Sequence, residues 1–383
     1  MKTALVQDWL TGMRGGEKVF EAFCRRFPGA PVHTLVHRKG SVSDAIESHP
    51  IHTSFIQRLP AGATRYQRYL PFFPAAIERF DLRGYDLVLS SSHCAAKGVV
   101  VHPGTRHLCY CHTPMRYVWA AYEDYFGAGR LRFPASWVMP LMATALRQWD
   151  VTASVRVDSF AANSACVAAR IQRYYGREAR VIHPWVDVDY YTPDGEPEDF
   201  YLVATALVPY KRIDLALEAV RRRPRPLWIV GDGVERRRLE RMAPPGVRFL
   251  GWLPPEELRA YYRRCRALLF PGVEDFGIVP VEAQACGRPV VGLGHGGLLE
   301  TARDGESGVF FAEPDAGALA AAMERCEGMR WDPAAIRNGV LRFSPERFER
   351  EVDRWLEEEG PRGTAWAREN GTSAAPGFRS SGT

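Results

Sequence analysis

The sequence predicts an α/β protein made of two Rossmann-like, doubly wound domains facing a cleft. Three observations carry this reading. Short apolar runs alternate with amphipathic helical patterns along both halves, the order that parallel βαβ units require. A proline- and acid-rich stretch, VIHPWVDVDYYTPDGEPEDF, interrupts the alternation near the middle. The length of 383 residues favours two domains over one.

Taken in order, KTALVQDWL reads as a strand, followed by a glycine turn at Gly15-Gly16 and by GEKVFEAFCRRF as an amphipathic helix. YDLVLSSS and RHLCYCH are short apolar runs ending in polar residues, as buried parallel strands do. SVRVDSFAANS, CVAARIQRYYG and EARVIHP repeat the order strand, helix, strand. The second half offers five strand candidates, FYLVATAL, RPLWIVGDG, VRFLGWL, RALLFPG and RPVVGLG. Four helical patterns separate them: IDLALEAVRRR, ERRRLERM, PEELRAYYRRC and PVEAQACG. The expected boundaries are residues 1–184, 185–345, a helix over 346–359 packing back on the first domain, and a polar, glycine-rich tail over 360–383 that reads as disordered.

Composition narrows the function classes. Hydrophobic residues make up 46% and charged residues 25%, the balance of a soluble globular protein. No run of eighteen apolar residues is present to span a bilayer. The first residues carry Asp8 inside their only apolar stretch, which argues against a signal peptide. Eight cysteines scattered through apolar or helical segments fit a reducing, cytoplasmic compartment. Cys109, Cys111 and His112 lie close in sequence, but no second half of a structural zinc site accompanies them. A net charge of +5 without a dense basic block argues against nucleic acid and suits an anionic small molecule or membrane face. The stretch FIQRLPAGATRYQRYLPFFPAAIERF mixes arginines with aromatics. It reads either as a peripheral contact with the inner face of a membrane or as a core-packed helix and loop with solvated arginines.

The strongest chemical signal is PGVEDFGIVPVEAQACGRPVV. Glu274 lies in the loop after a strand, and Glu282 is placed eight residues later, in the first turn of the next helix, with Pro280 at its first position. Gly277 leaves room for a ligand to approach the backbone. A helix start offers free N–H groups to phosphate, while an acid beside it takes sugar hydroxyls. The two glutamates alone fit a helix charge and a solvated loop acid equally well. In ALVPYKRIDLALEAV, Lys211 and Arg212 stand at a strand-to-helix junction, where cations oppose the helix dipole unless an anion lies between them. The plain alternative is two surface cations. Gly292, Gly294 and Gly297 formally match GxGxxG, which invites a dinucleotide reading. The helical stretch behind them is short and the motif closes its domain, so it reads as a loop whose N–H groups face sugar or phosphate. Asp187-Val188-Asp189 resembles a metal-binding DxD but falls in the connector. His112, after the strand end in CYCHTPMRYVW, is an active-site candidate by position.

Together, VPYKR, GDG, FLGWLPPEEL, EDFGIVPVEAQACGRPVV and the GHGG loop resemble the retaining family 4 glycosyltransferases of the GT-B fold. In the first half the resemblance rests on Gly15-Gly16, CHTPMRYVW and DSFAANSACVAARI, which are similar to a mannosyltransferase-like branch that builds bacterial polysaccharides. The resemblance implies roles residue by residue. Glu274 would contact the donor sugar, Glu282 the ribose and Lys211 the diphosphate. His112 would sit near the transferred sugar, with Gly15, Gly16, Gly296 and Gly297 close to phosphate and sugar. Arg212, Asp275, Phe276, Gly277, Ile278 and His295 complete the expected substrate-binding set. The implied donor is a nucleotide-diphosphate sugar, GDP-mannose, with no separate cofactor and no metal. The implied acceptor is a saccharide or a polyprenyl-diphosphate-linked one. One departure stands out: many members carry an arginine five residues before the lysine, where this chain has Ala206. Two rival readings remain, a catalytically weak nucleotide-sugar-binding subunit and an NAD-dependent oxidoreductase.

Overall fold

A computed structural model describes residues 1–119, 122–127 and 135–361 of the chain. From residue 362 onward the stretch read above as a tail lies outside the described residues. Strands β1 (Thr3–Gln7), β2 (Val32–Thr34), β3 (Ile51–Thr53), β4 (Leu87–Ser92), β5 (Arg106–Cys111), β6 (Ser159–Ala162) and β7 (Ala179–Val181) form one sheet. Its order is β3-β2-β1-β4-β5-β6-β7, and every pairing is parallel. Strands β8 (Tyr201–Ala204), β9 (Leu227–Val230), β10 (Val247–Gly251), β11 (Ala267–Phe270), β12 (Val290–Leu293) and β13 (Gly308–Phe311) form a second parallel sheet, in the order β10-β9-β8-β11-β12-β13. In each sheet the chain winds outward one way from the first strand and the other way from its neighbour. The strand order therefore reverses between β1 and β4 and again between β8 and β11, the crevices where open parallel sheets hold ligands.

Both faces of each sheet are covered, which is why the strands are apolar almost throughout. The helix Gly15–Arg26 places Phe20 and Phe23 on one face of the first sheet, together with Phe348, Val352 and Trp355 of the last helix, Pro345–Glu359. Trp355 Nε1 donates to Ser159 Oγ at 3.0 Å and Arg26 reaches Asp353 at 2.7 Å, so that helix is tied to the first sheet by polar contacts as well. The opposite face is packed by Tyr66, Phe73, Ile77 and Leu146. In the second sheet, Leu215, Leu217, Leu319 and Met323 fill one side, and Tyr262, Val281, Leu298 and Phe343 the other.

Several local readings need correction. Strands β2, β3 and β13 were not among the candidates; each has only three or four residues, too few for a periodic pattern. Of SVRVDSFAANS only Ser159–Ala162 is strand, because Ser154 ends the helix Ala135–Ser154. The helix expected around Pro280 begins at Ile278. Gly277, left-handed at φ +88, sets that start, and proline is tolerated within a first turn whose N–H groups have no helical partner. Pro280 is thus the third helical residue and Glu282 the fifth, in the second turn. In the arginine–aromatic stretch, Ile56, Tyr66, Leu70, Phe73 and Ile77 are buried, and Arg58, Arg65, Arg68 and Arg79 are exposed. That is the core-packed arrangement. No helix among the described residues is long and apolar enough to cross a membrane.

Candidate active site

A cavity of about 450 Å³ opens between the two sheets. Segments following β1, β4 and β5 line one wall, and segments following β8 and β11 line the other. It therefore sits at both reversal points at once.

The first wall is organised by one carboxylate. Asp8, fully buried just after β1, accepts four backbone N–H groups from the turn after β4: His93 at 2.6 Å, Cys94 at 2.9 Å, Ala95 at 2.6 Å and Ala96 at 2.7 Å. His93 Nδ1 lies 3.0 Å from the same carboxylate. Burial opposes its charge, but His93 and the N–H donors prevail and hold Asp8 at about 2. For His93, burial disfavours the charged ring, yet Asp8 and then Glu17 outweigh it and raise its pKa. Glu17, also buried, is pushed upward by burial against the pull of His93. His112 behaves in the opposite way. Burial, and then the His93 charge, lower it to about 3, so its ring is neutral at ordinary pH. Its Nε2 lies 2.9 Å from Ser91 Oγ.

The second wall carries an acid and a base in contact. After β8 the chain makes a short helical turn, Pro209–Lys211, which aims Lys211 at the cavity, and the loop after β11 presents Glu274 to it. The two side chains form an ion pair. Burial, and then the charge of Arg116, draw the Lys211 ammonium down to about 7. Contact with Glu274 favours the charged form and opposes that lowering. Gly277, Ile278 and Val279, the start of the helix Ile278–Ala285, also line the cavity and turn the helix's positive end toward it.

Most of the expected residues meet here. His112, Gly15, Gly16, Lys211, Glu274, Asp275, Phe276, Gly277 and Ile278 all line the cavity. A Cβ built on Gly16 would stand 3.6 Å from His112 Nε2, and one on Gly15 only 2.7 Å from Ile278 of the other wall. Five expected residues and one motif fall elsewhere. Arg212, in the left-handed region at φ +51, turns to Asp214 at 3.3 Å. Glu282 is buried behind the wall, where the Tyr262 hydroxyl donates to it at 3.0 Å and Lys18 of the first domain approaches to 3.7 Å. His295 is exposed. Gly296 and Gly297 support the acidic loop from behind: the Gly297 N–H donates to the Glu274 carbonyl at 2.8 Å. A Cβ on Gly297 would lie 2.3 Å from Phe276 Cα. The glycine loop thus spends this N–H on the protein itself, which removes the support for a dinucleotide fingerprint. Asp187 accepts from the Tyr190 N–H in a local turn, and Cys109 and Cys111 are buried in β5. Among the described residues no cluster of three metal-ligating side chains is present.

Sequence reasoning missed Glu17, His93 and Arg116 as wall residues, and Asp8 as the buried support behind them. Asp275, too, is not simply a ligand contact. Arg116 and Arg170, both from the first domain, pair with its carboxylate. Burial would raise Asp275, but the two guanidinium groups keep it lowered. A further tie crosses the cleft where Glu300 accepts the N–H groups of Ala165 at 2.8 Å and Cys166 at 3.1 Å and meets His183 at 2.9 Å.

Comparison with known proteins agrees with this layout. Residues 13–190 match the family described as Glycosyltransferase Family 4, and residues 192–339 match Glycosyl transferases group 1. A D-inositol 3-phosphate glycosyltransferase of Geodermatophilus obscurus is 36% identical over 200 residues, 43% of this chain and 44% of that protein. The protein of the same description from Streptomyces bingchenggensis is 32% identical over 188 residues, 40% of this chain and 41% of its own length. The chain thus spans less than half the length of these curated relatives. Among solved structures, Anabaena HepE in complex with UDP superposes with TM-score 0.68 at 17% identity, covering 94% of this chain and 100% of that one. Sucrose-phosphate synthase from Thermosynechococcus elongatus gives 0.70 at 19% identity, covering 93% and 98%. These two likenesses establish the GT-B architecture. With consecutive family matches spanning most of its length over that architecture, the chain belongs to the family 4 glycosyltransferases.

Proposed function

We propose that the chain transfers a hexosyl group from a nucleotide-diphosphate sugar to a saccharide or polyprenyl-diphosphate-linked saccharide, with retention and without a metal ion. The observation that carries this reading is the contact between Lys211 and Glu274 inside one cavity, beside the positive end of the helix Ile278–Ala285. Glycosyl transfer builds positive charge on the sugar ring and negative charge on the departing diphosphate. A preorganised ammonium and helix N–H groups stabilise that departing charge without reorganising water. Glu274 then holds sugar hydroxyls, and neutral His112 lies near the transferred sugar as a hydrogen-bonding group rather than a cation. No covalent nucleophile is assigned; the acceptor attacks on the face the diphosphate leaves. Eight free cysteines support a reducing, cytoplasmic setting. There a lipid-linked acceptor would be met at the inner face of the membrane.

The resemblance of the first half implies GDP-mannose as donor. The HepE structures, one with UDP-glucose at 16% identity and TM-score 0.66, covering 93% of this chain and 99% of that chain, supply the competing candidate, a UDP-linked hexose. A thermal-shift panel of GDP, UDP, ADP and their sugars separates them, since a ligand raises the melting temperature by mass action. Transfer is expected to persist in EDTA. No stabilisation by any nucleotide sugar would sink the reading, and loss in EDTA with rescue by manganese would sink its metal-free form.

A further inference from the structure

A departing nucleoside diphosphate carries more than one negative charge. Among the described residues lining the cavity, the second domain contributes a single cation, Lys211, and Ala206 beside it offers only a methyl group. The first domain supplies what is missing. Arg116, on the segment after β5, brings its guanidinium carbon 4.9 Å from the centre of the Tyr210 ring, and Lys211 Nζ lies 5.1 Å from the same ring. Two cations from opposite walls thus flank one aromatic ring at the cavity edge.

We infer that Arg116 is the second cation of the diphosphate site, contributed across the cleft and released to it from its pairing with Asp275. This rests on the donor reading above. The pairing of one carboxylate with two arginines makes the exchange feasible. When Arg116 turns to phosphate, Arg170 still neutralises Asp275, so no buried charge is stranded. Because Arg116 belongs to the first domain and Lys211 to the second, the diphosphate site is complete only when the cleft is closed. Leaving-group stabilisation is thereby coupled to the exclusion of water.

Calorimetric titration of the full chain with UDP or GDP, and with the matching monophosphates, tests this. Arg116→Gln is expected to weaken diphosphate binding at least about tenfold, as one lost charge-assisted hydrogen bond does, and to leave monophosphate binding within about threefold. Arg116→Lys should recover part of the loss. Asp275→Asn, which releases the arginine, is expected to leave diphosphate binding unchanged or tighter. A mere latch between domains predicts the reverse pattern: Arg116→Gln and Asp275→Asn weaken diphosphate and monophosphate alike, and that result would overturn the inference. If Arg116→Gln does not fold, Asp275→Asn decides by the same criterion. Failure of the wild type to bind any nucleoside diphosphate would remove the donor reading and this inference together. Wild-type binding with no selective loss in Arg116→Gln removes only the inference.

Discussion

Replacing Asp8 by asparagine tests whether one buried carboxylate holds the first wall of the cavity. The side chain has no exposure and receives four N–H groups at 2.6 to 2.9 Å. An asparagine oxygen can accept two of them, but its NH2 group then points hydrogens at the other two. Two buried donors left without acceptors cost about 1–3 kcal/mol each, and His93 loses its counter-charge. We expect a loss of about 4 kcal/mol, within the range measured when one partner of a buried pair is removed. The pKa supplies an independent figure. Lowering Asp8 from its ordinary 3.8 to about 2, at about 1.4 kcal/mol per tenfold change, is worth about 2.5 kcal/mol. A carboxylate with a depressed folded pKa contributes fully above its unfolded value. That contribution fades as pH falls from about 4 toward 2 in the wild type and is missing in the variant. Hydrogen exchange read by mass spectrometry over residues 93–96 gives the local measurement. At pH 7 those amides should exchange about a thousandfold faster in Asp8→Asn, the equivalent of about 4 kcal/mol. Urea unfolding should lose the acid-dependent component. Exchange within tenfold of wild type would show that the carboxylate does not hold the turn, and the argument from four short N–H contacts would fail.

Two further substitutions probe the second wall. Glu274→Ala should reduce transfer at least about tenfold, or 1.4 kcal/mol; an unchanged rate constant removes Glu274 from the site. In Glu274→Gln, Lys211 loses its contacting carboxylate, and its ammonium, already drawn down to about 7 in the wild type, is lowered further. Diphosphate affinity should then fall as pH rises from 6 to 9, by up to about tenfold per pH step, and a flat calorimetric profile refutes this. Gly297→Ala drives a methyl group against Phe276 backbone at 2.3 Å. About 1–3 kcal/mol of stability should be lost, along with donor affinity, as read from melting curves with and without nucleotide; retention of both would mean the loop can move aside freely.

What was legible in the chain was local. Strands such as Leu87–Ser92 and Ala267–Phe270 announce themselves by dense apolar content, and the glycine and proline breaks beside them locate the loops that carry Lys211 and Glu274. Three-residue strands such as Val32–Thr34 exist only through their partners, so nothing in their own composition marks them. The same limit hid Asp8. Its donors lie 85 to 88 positions away in sequence, and a carboxylate in an apolar run reads as an interruption until they are brought to it. The one available clue was that a buried acid must find donors somewhere. Arg116 was hidden for a related reason, since its partner belongs to the other domain. Arg212 was misplaced because the left-handed turn at its own backbone, invisible in the sequence, sends its side chain to Asp214.

The charges around the cavity are largely paired with one another: His93 faces Asp8, Lys211 faces Glu274 and Arg116 faces Asp275. Such pairing lowers the cost of burying charge, but it also means that an anion must compete with a carboxylate for each cation. When a diphosphate takes Lys211, the half-buried Glu274 loses its cation, at a cost that offsets part of the gain. Sugar hydroxyls remove that cost by donating to it. A nucleoside diphosphate alone therefore pairs the lysine but strands the acid, and a free sugar finds the acid already paired. Only a ligand carrying both groups satisfies both members of this pair. The expected result is that the nucleotide sugar binds more tightly than its diphosphate by at least about tenfold, one charge-assisted hydrogen bond. In Glu274→Gln the two should bind alike, because a neutral amide is not stranded in the same way. Equal affinity of the wild type for both ligands would mean that Glu274 finds water or another donor when Lys211 leaves it, and the coupling between the leaving group and the sugar would be absent.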